Sequence, residues 1–183
     1  MLSYADLAQH LSRRVQDVEF GIAQGAFAER ALDEGLILDL HRRICGDLVP
    51  EMAGRWRRID VQVSDHEAPS FVKLPQLMRD YALDLQARIA GMGDALGDRV
   101  LEFLAFAEGR LLSIHPFEDF NGRTTRVLLA ELLRRLRMPD IDPTPDEGAE
   151  TATYLQAMKG ADRADWQPLI AVWRLRFEKE DQP

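Results

Sequence analysis

Residues 98–126 have the sequence DRVLEFLAFAEGRLLSIHPFEDFNGRTTR, and this stretch decides what kind of fold surrounds it. Its first part, about residues 98–113, predicts a helix that is apolar nearly all round, as expected for a central helix buried by others. The apolar positions are Val100, Leu101, Phe103, Leu104, Phe106, Leu111 and Leu112. Pro116 disfavours helical geometry at His115, so we expect the helix to end near His115.

On both sides of this stretch, apolar residues recur at helical spacing and predict further helices. An N-terminal helix is expected at about residues 4–20, ahead of a core at about residues 36–177. The other predicted helices lie at about residues 36–44, 75–91, 147–159 and 166–179, together with a helix that starts after Asn121 and has its apolar stripe at residues 128–136. We therefore expect residues 1–183 to form a single all-α domain, a compact helical bundle.

One segment departs from helical spacing. Ile59, Val61 and Val63 alternate with polar residues, residues 65–70 interrupt the pattern, and residues 71–74 follow. This alternation predicts a small β-hairpin, with a loop of chance alternation as the alternative. A lone hairpin is marginal in water, so it must lean on the helices, and its exposed edge can accept a strand from a partner.

The composition of the chain limits which binding partners and which cellular compartment are expected. The 183 residues include 23 Lys and Arg against 31 Asp and Glu, a net charge of −8, which disfavours nucleic acid as the main partner. The single cysteine, Cys45, cannot form an intramolecular disulfide, and no apolar run approaches the length of a membrane span. We expect a cytoplasmic protein that does not bind membranes.

The loop after the central helix combines a base with a site for anions. A neutral His115 at a junction of helix and loop can accept a proton. Asn121 can cap the next helix and Gly122 lets a ligand approach the backbone, so free N–H groups point at one spot. Arg123 and Arg126 lie three residues apart at the start of that helix, and two guanidinium groups suit more than one phosphate.

A carboxylate completes this group of residues. Asp119 is the residue we expect to hold a divalent cation, with Glu118 as the substitute, because magnesium bound to a nucleotide needs only one or two protein carboxylates. Together the residues suggest phosphoryl or nucleotidyl transfer to a hydroxyl. The alternative is a loop of capping residues and solvated charges without chemistry.

Residues 115–126 resemble the signature of the Fic family, His-Pro-Phe-x-(Asp/Glu)-Gly-Asn-Gly-Arg-x-x-Arg. This chain has His-Pro-Phe-Glu-Asp-Phe-Asn-Gly-Arg-Thr-Thr-Arg, which departs from the signature only at Phe120, where the family usually has Gly. A looser resemblance extends over about residues 36–175. It includes residues 40–44 and 53–57, which look like the family's helix and the turn that leads to its flap.

The resemblance implies an activity. Fic enzymes mostly transfer AMP from ATP to a Ser, Thr or Tyr hydroxyl of a target protein. His115 would deprotonate that hydroxyl, and Asp119 would hold Mg²⁺ on the α- and β-phosphates.

The resemblance also implies the rest of the site. Asn121 and the N–H groups around Gly122 would bind the α-phosphate, while Arg123 and Arg126 would hold the outer phosphates. The hairpin would be the family's flap, which positions the target segment by strand pairing. Its residues would be Ile59, Asp60, Val61, Gln62 and Val63.

Two departures from the family leave alternatives open. Phe120 can occlude ATP, reshape the pocket for another donor, or turn outward. The inhibitory helix of many Fic proteins has the form Ser/Thr-x-x-x-Glu-Gly/Asn, and neither Glu34-Gly35 nor Glu147-Gly148 fits it. Inhibition by an antitoxin-like partner, no inhibition, or a diverged internal helix all remain open.

The alternatives to AMP transfer are a different nucleotide or phosphate-bearing donor, removal of AMP, or a non-catalytic module that binds a nucleotide or peptide. A homo-oligomer is also open. Of the remaining histidines, His41 is expected to be structural, and His66 to be a solvated residue at the hairpin tip.

Overall fold

The computed structural model describes residues 4–92 and 97–180, with the side chains of residues 4–6 left out. Seven helices and one hairpin occupy these residues. The helices are α1 (Tyr4–Ala23), α2 (Glu34–Cys45), α3 (Leu74–Ala90), α4 (Asp98–Ile114), α5 (Asn121–Arg135), α6 (Ala149–Ala161) and α7 (Gln167–Glu180). The strands are β1 (Gln62–Val63) and β2 (His66–Glu67), and a short 3₁₀ helix covers Phe71–Lys73. The predicted all-α fold with a small hairpin is confirmed.

Helix α4 is the centre of the structure. Most of its 17 residues are buried, and α3, α5, α6 and α7 all pack against it. This arrangement confirms the prediction from its apolar sequence. Since α4 is enclosed by neighbours along its length, its C-terminal residue is held rigidly relative to the rest of the fold.

Helices α1, α2 and α5 form the second part of the core, each in contact with the other two. Helix α2 begins after Asp33, whose carboxylate accepts a hydrogen bond from the Leu36 N–H at 2.9 Å. The face of α2 that includes Leu36, Ile37 and Leu40 is fully buried. This packing brings α1 alongside α5, which starts in the motif.

The hairpin is shorter than predicted and pairs in a different register. The alternating sequence suggested a second strand at residues 71–74, but that segment forms the 3₁₀ helix and the start of α3. The second strand is His66–Glu67, because Ser64 adopts a left-handed conformation (φ 56°) and turns the chain within two residues. The apolar residues Ile59 and Val63 are exposed and do not face the core.

No helix in residues 4–92 and 97–180 has the length and apolar character needed to cross a membrane.

Candidate functional site

His115 lies where α4 ends. It adopts the left-handed conformation (φ 50°, ψ 61°), and its N–H still donates to the Leu111 carbonyl at 3.0 Å. The imidazole is half-buried, and burial lowers its pKa below the ordinary value of 6.5. The positive charge of Arg57 lowers the pKa further. His115 is therefore a neutral imidazole at neutral pH, as a general base requires.

The side chain of Asn121 holds the loop that follows. Its Oδ1 accepts from the Phe117 N–H at 3.0 Å, and its Nδ2 donates to the Phe117 carbonyl at 2.9 Å. The prediction that Asn121 caps α5 is wrong, because Asn121 is the first residue of the helix and Phe120 precedes it as the N-cap. Asn121 is buried, and its polar atoms bond to the loop backbone.

The N-terminus of α5 is open to a ligand beside Gly122. A Cβ atom built on Gly122 would meet no other atom within 4 Å, so there is free space next to this backbone. The first N–H groups of a helix have no partner within the helix, and they carry the positive end of its dipole. An anion can therefore reach backbone donors around Gly122.

Phe120 occupies the position at which the Fic signature has Gly, and its backbone explains that preference. Phe120 is left-handed (φ 60°, ψ 19°), a conformation that glycine adopts without steric cost. Its ring is 7% exposed and lies among the core residues, with its centroid 6.3 Å from that of His41. The ring thus neither turns outward nor projects from the exposed surface of the loop.

The two motif arginines have different surroundings. Arg123 is partly exposed, with its guanidinium carbon 5.9 Å from the centre of the Phe120 ring. Arg126 is bound on several sides: it donates to both carboxylate oxygens of Glu19 (2.6 and 3.3 Å) and to Thr144, and it lies 3.3 Å from Asp142. A cavity of about 140 Å³ borders Arg126 and Glu19.

Asp119 is exposed at the edge of the loop. One carboxylate oxygen accepts from the Phe120 N–H at 2.6 Å. No cluster of three His, Cys, Asp or Glu residues able to bind a metal occurs in the described part of the chain. Asp119, with Glu118 exposed beside it, is thus suited to a cation that takes its other ligands from phosphates.

His41 has the structural role that was expected, and its contacts show that it supports the motif loop. Its Nδ1 accepts from the Gly54 N–H at 2.9 Å, so Nε2 carries the proton and donates to the Asp119 carbonyl at 3.2 Å. The ring stacks on Phe117 with centroids 3.8 Å apart. Burial lowers the pKa of His41 to about 4, so it stays neutral. No local signal predicts this contact, since His41 and Asp119 are 78 residues apart.

His66 is not the solvated tip residue that the sequence suggested. It lies in β2, and its Nε2 donates to the Ser113 carbonyl of α4 at 2.9 Å. Ser113 in turn donates to Asp162 at 2.8 Å, and Lys159 of α6 binds Asp65 at the turn of the hairpin. The hairpin is thus attached to α4 and to the C-terminal part of α6.

The predicted flap residues lie next to the motif loop, and their contacts differ from one residue to the next. Ile59 and Val63 are exposed, and the Asp60 carboxylate accepts from the Phe71 N–H at 2.8 Å. Gln62 and Val63 form β1, whereas Val61 lies just before it. The sheet has two strands, so β1 pairs along one edge and its other edge is free within residues 4–92 and 97–180.

A cavity of about 520 Å³ lies between α6, α7 and the loop before α6. None of residues 115–126 lines it.

Comparison with known families agrees with the motif. The Fic/DOC family profile matches residues 31–133, and the chain belongs to this family. The chain is 33% identical over 137 residues to protein adenylyltransferase Fic of Nematostella vectensis and 32% identical over 134 residues to that of Aedes aegypti. Each match covers 73% of this chain, but the chain spans only 30% and 25% of these relatives.

Solved structures show the same fold at lower identity. Fic-1 (residues 134–508) of C. elegans has a TM-score of 0.72 at 23% identity, with 91% of this chain and 48% of that chain covered. BepC of Bartonella tribocorum with bound AMPPNP has a TM-score of 0.70 at 14% identity, with coverage of 96% and 88%. The fold is therefore that of a Fic domain.

The burial of Phe120 leads to a prediction about stability and ATP binding. Phe120→Ala removes a buried ring at a cost of roughly 3–5 kcal/mol. Phe120→Gly removes the same ring but relieves about 1 kcal/mol of left-handed strain. We expect Phe120→Gly to be more stable than Phe120→Ala in urea unfolding, and its Kd for ATP, measured by calorimetry, to stay within about threefold of wild type. A tenfold tighter Kd would show that Phe120 occludes ATP.

Proposed function

We propose that the protein transfers AMP from ATP to a Ser, Thr or Tyr hydroxyl of a target protein. The observation that carries the proposal is the neutral, half-buried His115 beside the open N-terminus of α5, with Arg123 on the same helix. The relatives named protein adenylyltransferase Fic and the BepC structure with bound AMPPNP support a nucleotide as donor.

In this proposal, several residues of the chain contribute to one displacement reaction at the α-phosphorus of ATP. His115 takes the proton of the target hydroxyl as its oxygen attacks the α-phosphorus of ATP. The bond between the α-phosphorus and the bridging oxygen breaks, and pyrophosphate leaves with the electron pair. Backbone N–H groups around Gly122 stabilise the charge on the α-phosphate, and Asn121 keeps the loop in the shape that presents them.

The remaining charged residues bind the leaving group. Arg123 and, once released from Glu19, Arg126 hold the outer phosphates. Asp119 would hold Mg²⁺, which neutralises phosphate charge when bound. The exposed edge of β1 positions the target segment by backbone pairing.

We propose that Glu19 restrains the enzyme from within the chain. The Glu19 carboxylate is hydrogen-bonded to the Arg126 guanidinium, so an outer phosphate must displace this carboxylate in order to bind Arg126. The surrounding sequence has Val15 and Phe20 where the family pattern has Ser/Thr and Gly/Asn, which is why the pattern did not identify it. An internal glutamate makes an antitoxin-like partner unnecessary for this restraint.

The burial of Phe120 weakens the case for a non-catalytic module, since that reading depended on a ring placed beside the phosphates. A cytoplasmic location remains a prediction.

The first prediction from the proposed function tests the reaction itself. The protein is incubated with Mg²⁺, a bacterial lysate and ATP labelled at either the α- or the γ-phosphate. We expect α-label on protein and no γ-label, with a loss of roughly 10²- to 10⁴-fold for His115→Ala. His10→Ala, an exposed histidine of α1, is the matched control and should label normally. Transfer of γ-label would indicate phosphoryl transfer, and ATP binding without labelling would indicate a binding module.

A second prediction concerns the restraint. Glu19→Gln removes the charge that competes with phosphate for Arg126, and a charge-assisted hydrogen bond contributes about 1.5–3 kcal/mol. We therefore expect α-label transfer to rise by about 10-fold or more. Glu29→Gln, an exposed glutamate near the same helix, should leave the rate unchanged. A rate equal to wild type in Glu19→Gln would rule out restraint by Glu19.

A third prediction concerns pH. The base acts in its neutral form, and burial disfavours protonation of His115, so activity is retained as the pH falls through 6.5 and is lost only below it. The transfer rate of Glu19→Gln, measured from pH 4.5 to 8, should have the midpoint of its acid limb below pH 6.5. A midpoint above 6.5 would contradict a lowered pKa.

A further inference from the structure

Arg57 lies two residues before the flap, and it is only 1% exposed. Arginine is rarely buried this fully unless it is paired. The nearest carboxylate is that of Asp60, 3.8 Å away, and this carboxylate is largely exposed. The partners of the guanidinium are instead backbone carbonyl groups.

These carbonyl groups belong to two parts of the site. On one side, Nε donates to the His115 carbonyl at 2.8 Å and Nη2 lies 3.4 Å from the Ile114 carbonyl. On the other side, Nη1 donates to the Ile59 carbonyl at 2.6 Å, and Nη2 donates to the Pro69 carbonyl. One planar group therefore joins the end of α4 to both segments that flank the hairpin.

The contact with α4 has a clear physical reason. The last carbonyl groups of a helix have no partner within the helix and carry its negative dipole end. A cation placed there satisfies them and is stabilised in turn. The backbone N–H of Arg57 also donates to the Pro116 carbonyl at 2.9 Å, so Arg57 is fixed to the motif loop by its main chain too.

The hydrogen bonds from Arg57 to the segments that flank the hairpin compensate for the small number of bonds between its two strands. Each strand has only two residues, and the exposed apolar residues Val63, in β1, and Ile59, ahead of the hairpin, contribute little burial. A two-stranded hairpin of this size is marginal in water. The guanidinium is rigid and planar, and it also bonds to the His115 carbonyl. Its bonds to the Ile59 and Pro69 carbonyls therefore attach the hairpin and set the distance between the hairpin and His115.

We infer that Arg57 is a positioning residue, which fixes the flap at a set distance from His115 and so places the target hydroxyl within reach of the base. This inference rests on the proposed function. A lysine at this position keeps the charge but cannot bond four carbonyl groups from one plane.

The test compares Arg57→Lys with Arg58→Lys, an exposed neighbour of the same charge. Two quantities are measured on folded protein: hydrogen exchange of residues 59–72, and α-label transfer to lysate protein at saturating ATP, with the KM for ATP. For Arg57→Lys we expect exchange at the amides of Ala68 and Phe71 to rise tenfold or more, transfer to fall tenfold or more, and the KM for ATP to stay within twofold. Arg58→Lys should match wild type in all three.

A structural role alone would lower the amount of folded protein without changing the rate per folded molecule. Transfer at the wild-type rate in folded Arg57→Lys overturns the inference. If neither wild type nor Glu19→Gln labels any protein, the proposed function fails, and hydrogen exchange still decides on Arg57: unchanged exchange in Arg57→Lys overturns its role, and raised exchange supports it.

If Arg57→Lys does not fold, wild type provides the test. The Arg57 side-chain N–H and the Ala68 amide should then exchange through one common opening, with protection within about tenfold of each other. Protection that differs by more than 100-fold overturns the inference.

Discussion

The loop of residues 115–120 has no regular structure, so side chains from outside it must satisfy its backbone groups, and the site depends on this constraint. His41 donates to the Asp119 carbonyl, Asn121 bonds both backbone groups of Phe117, and Arg57 donates to the His115 carbonyl. A buried backbone group without a partner costs about 1–3 kcal/mol, so each contact selects one loop shape. The result is a loop held in one position before any substrate binds, which is how a site avoids reorganisation during the reaction.

The same constraint explains what the sequence predicts and what it does not. The central helix, the loop and the start of α5 are adjacent in the chain, so the apolar pattern, Pro116 and the order of motif residues were enough to place them. The partners that hold the loop come from α2 and from the segment before the flap. Neither His41 nor Arg57 lies in a pattern that shows its partner, since such contacts arise only from tertiary packing.

The hairpin shows a second limit. Its position was correctly predicted from alternation, but its register was not, because the turn depends on a left-handed Ser64 and the second strand contains the polar residues His66 and Glu67. Glu19 was missed for a related reason. The sequence around it differs from the family pattern at both flanking positions, yet helix packing brings its carboxylate to Arg126, 107 residues away. The contact arises from helix packing and is not visible in the local sequence.

The shared guanidinium of Arg126 has a thermodynamic consequence. Glu19 belongs to α1, which packs on α5, so under the proposed function an outer phosphate that binds Arg126 would also break a bond between these helices. Such linkage is reciprocal: whatever loosens α1 strengthens nucleotide binding, and bound nucleotide loosens α1 by the same free energy. If the proposed function holds, α1 would act as a sensor, and a partner protein bound to α1 would change the affinity for ATP without contacting the nucleotide site.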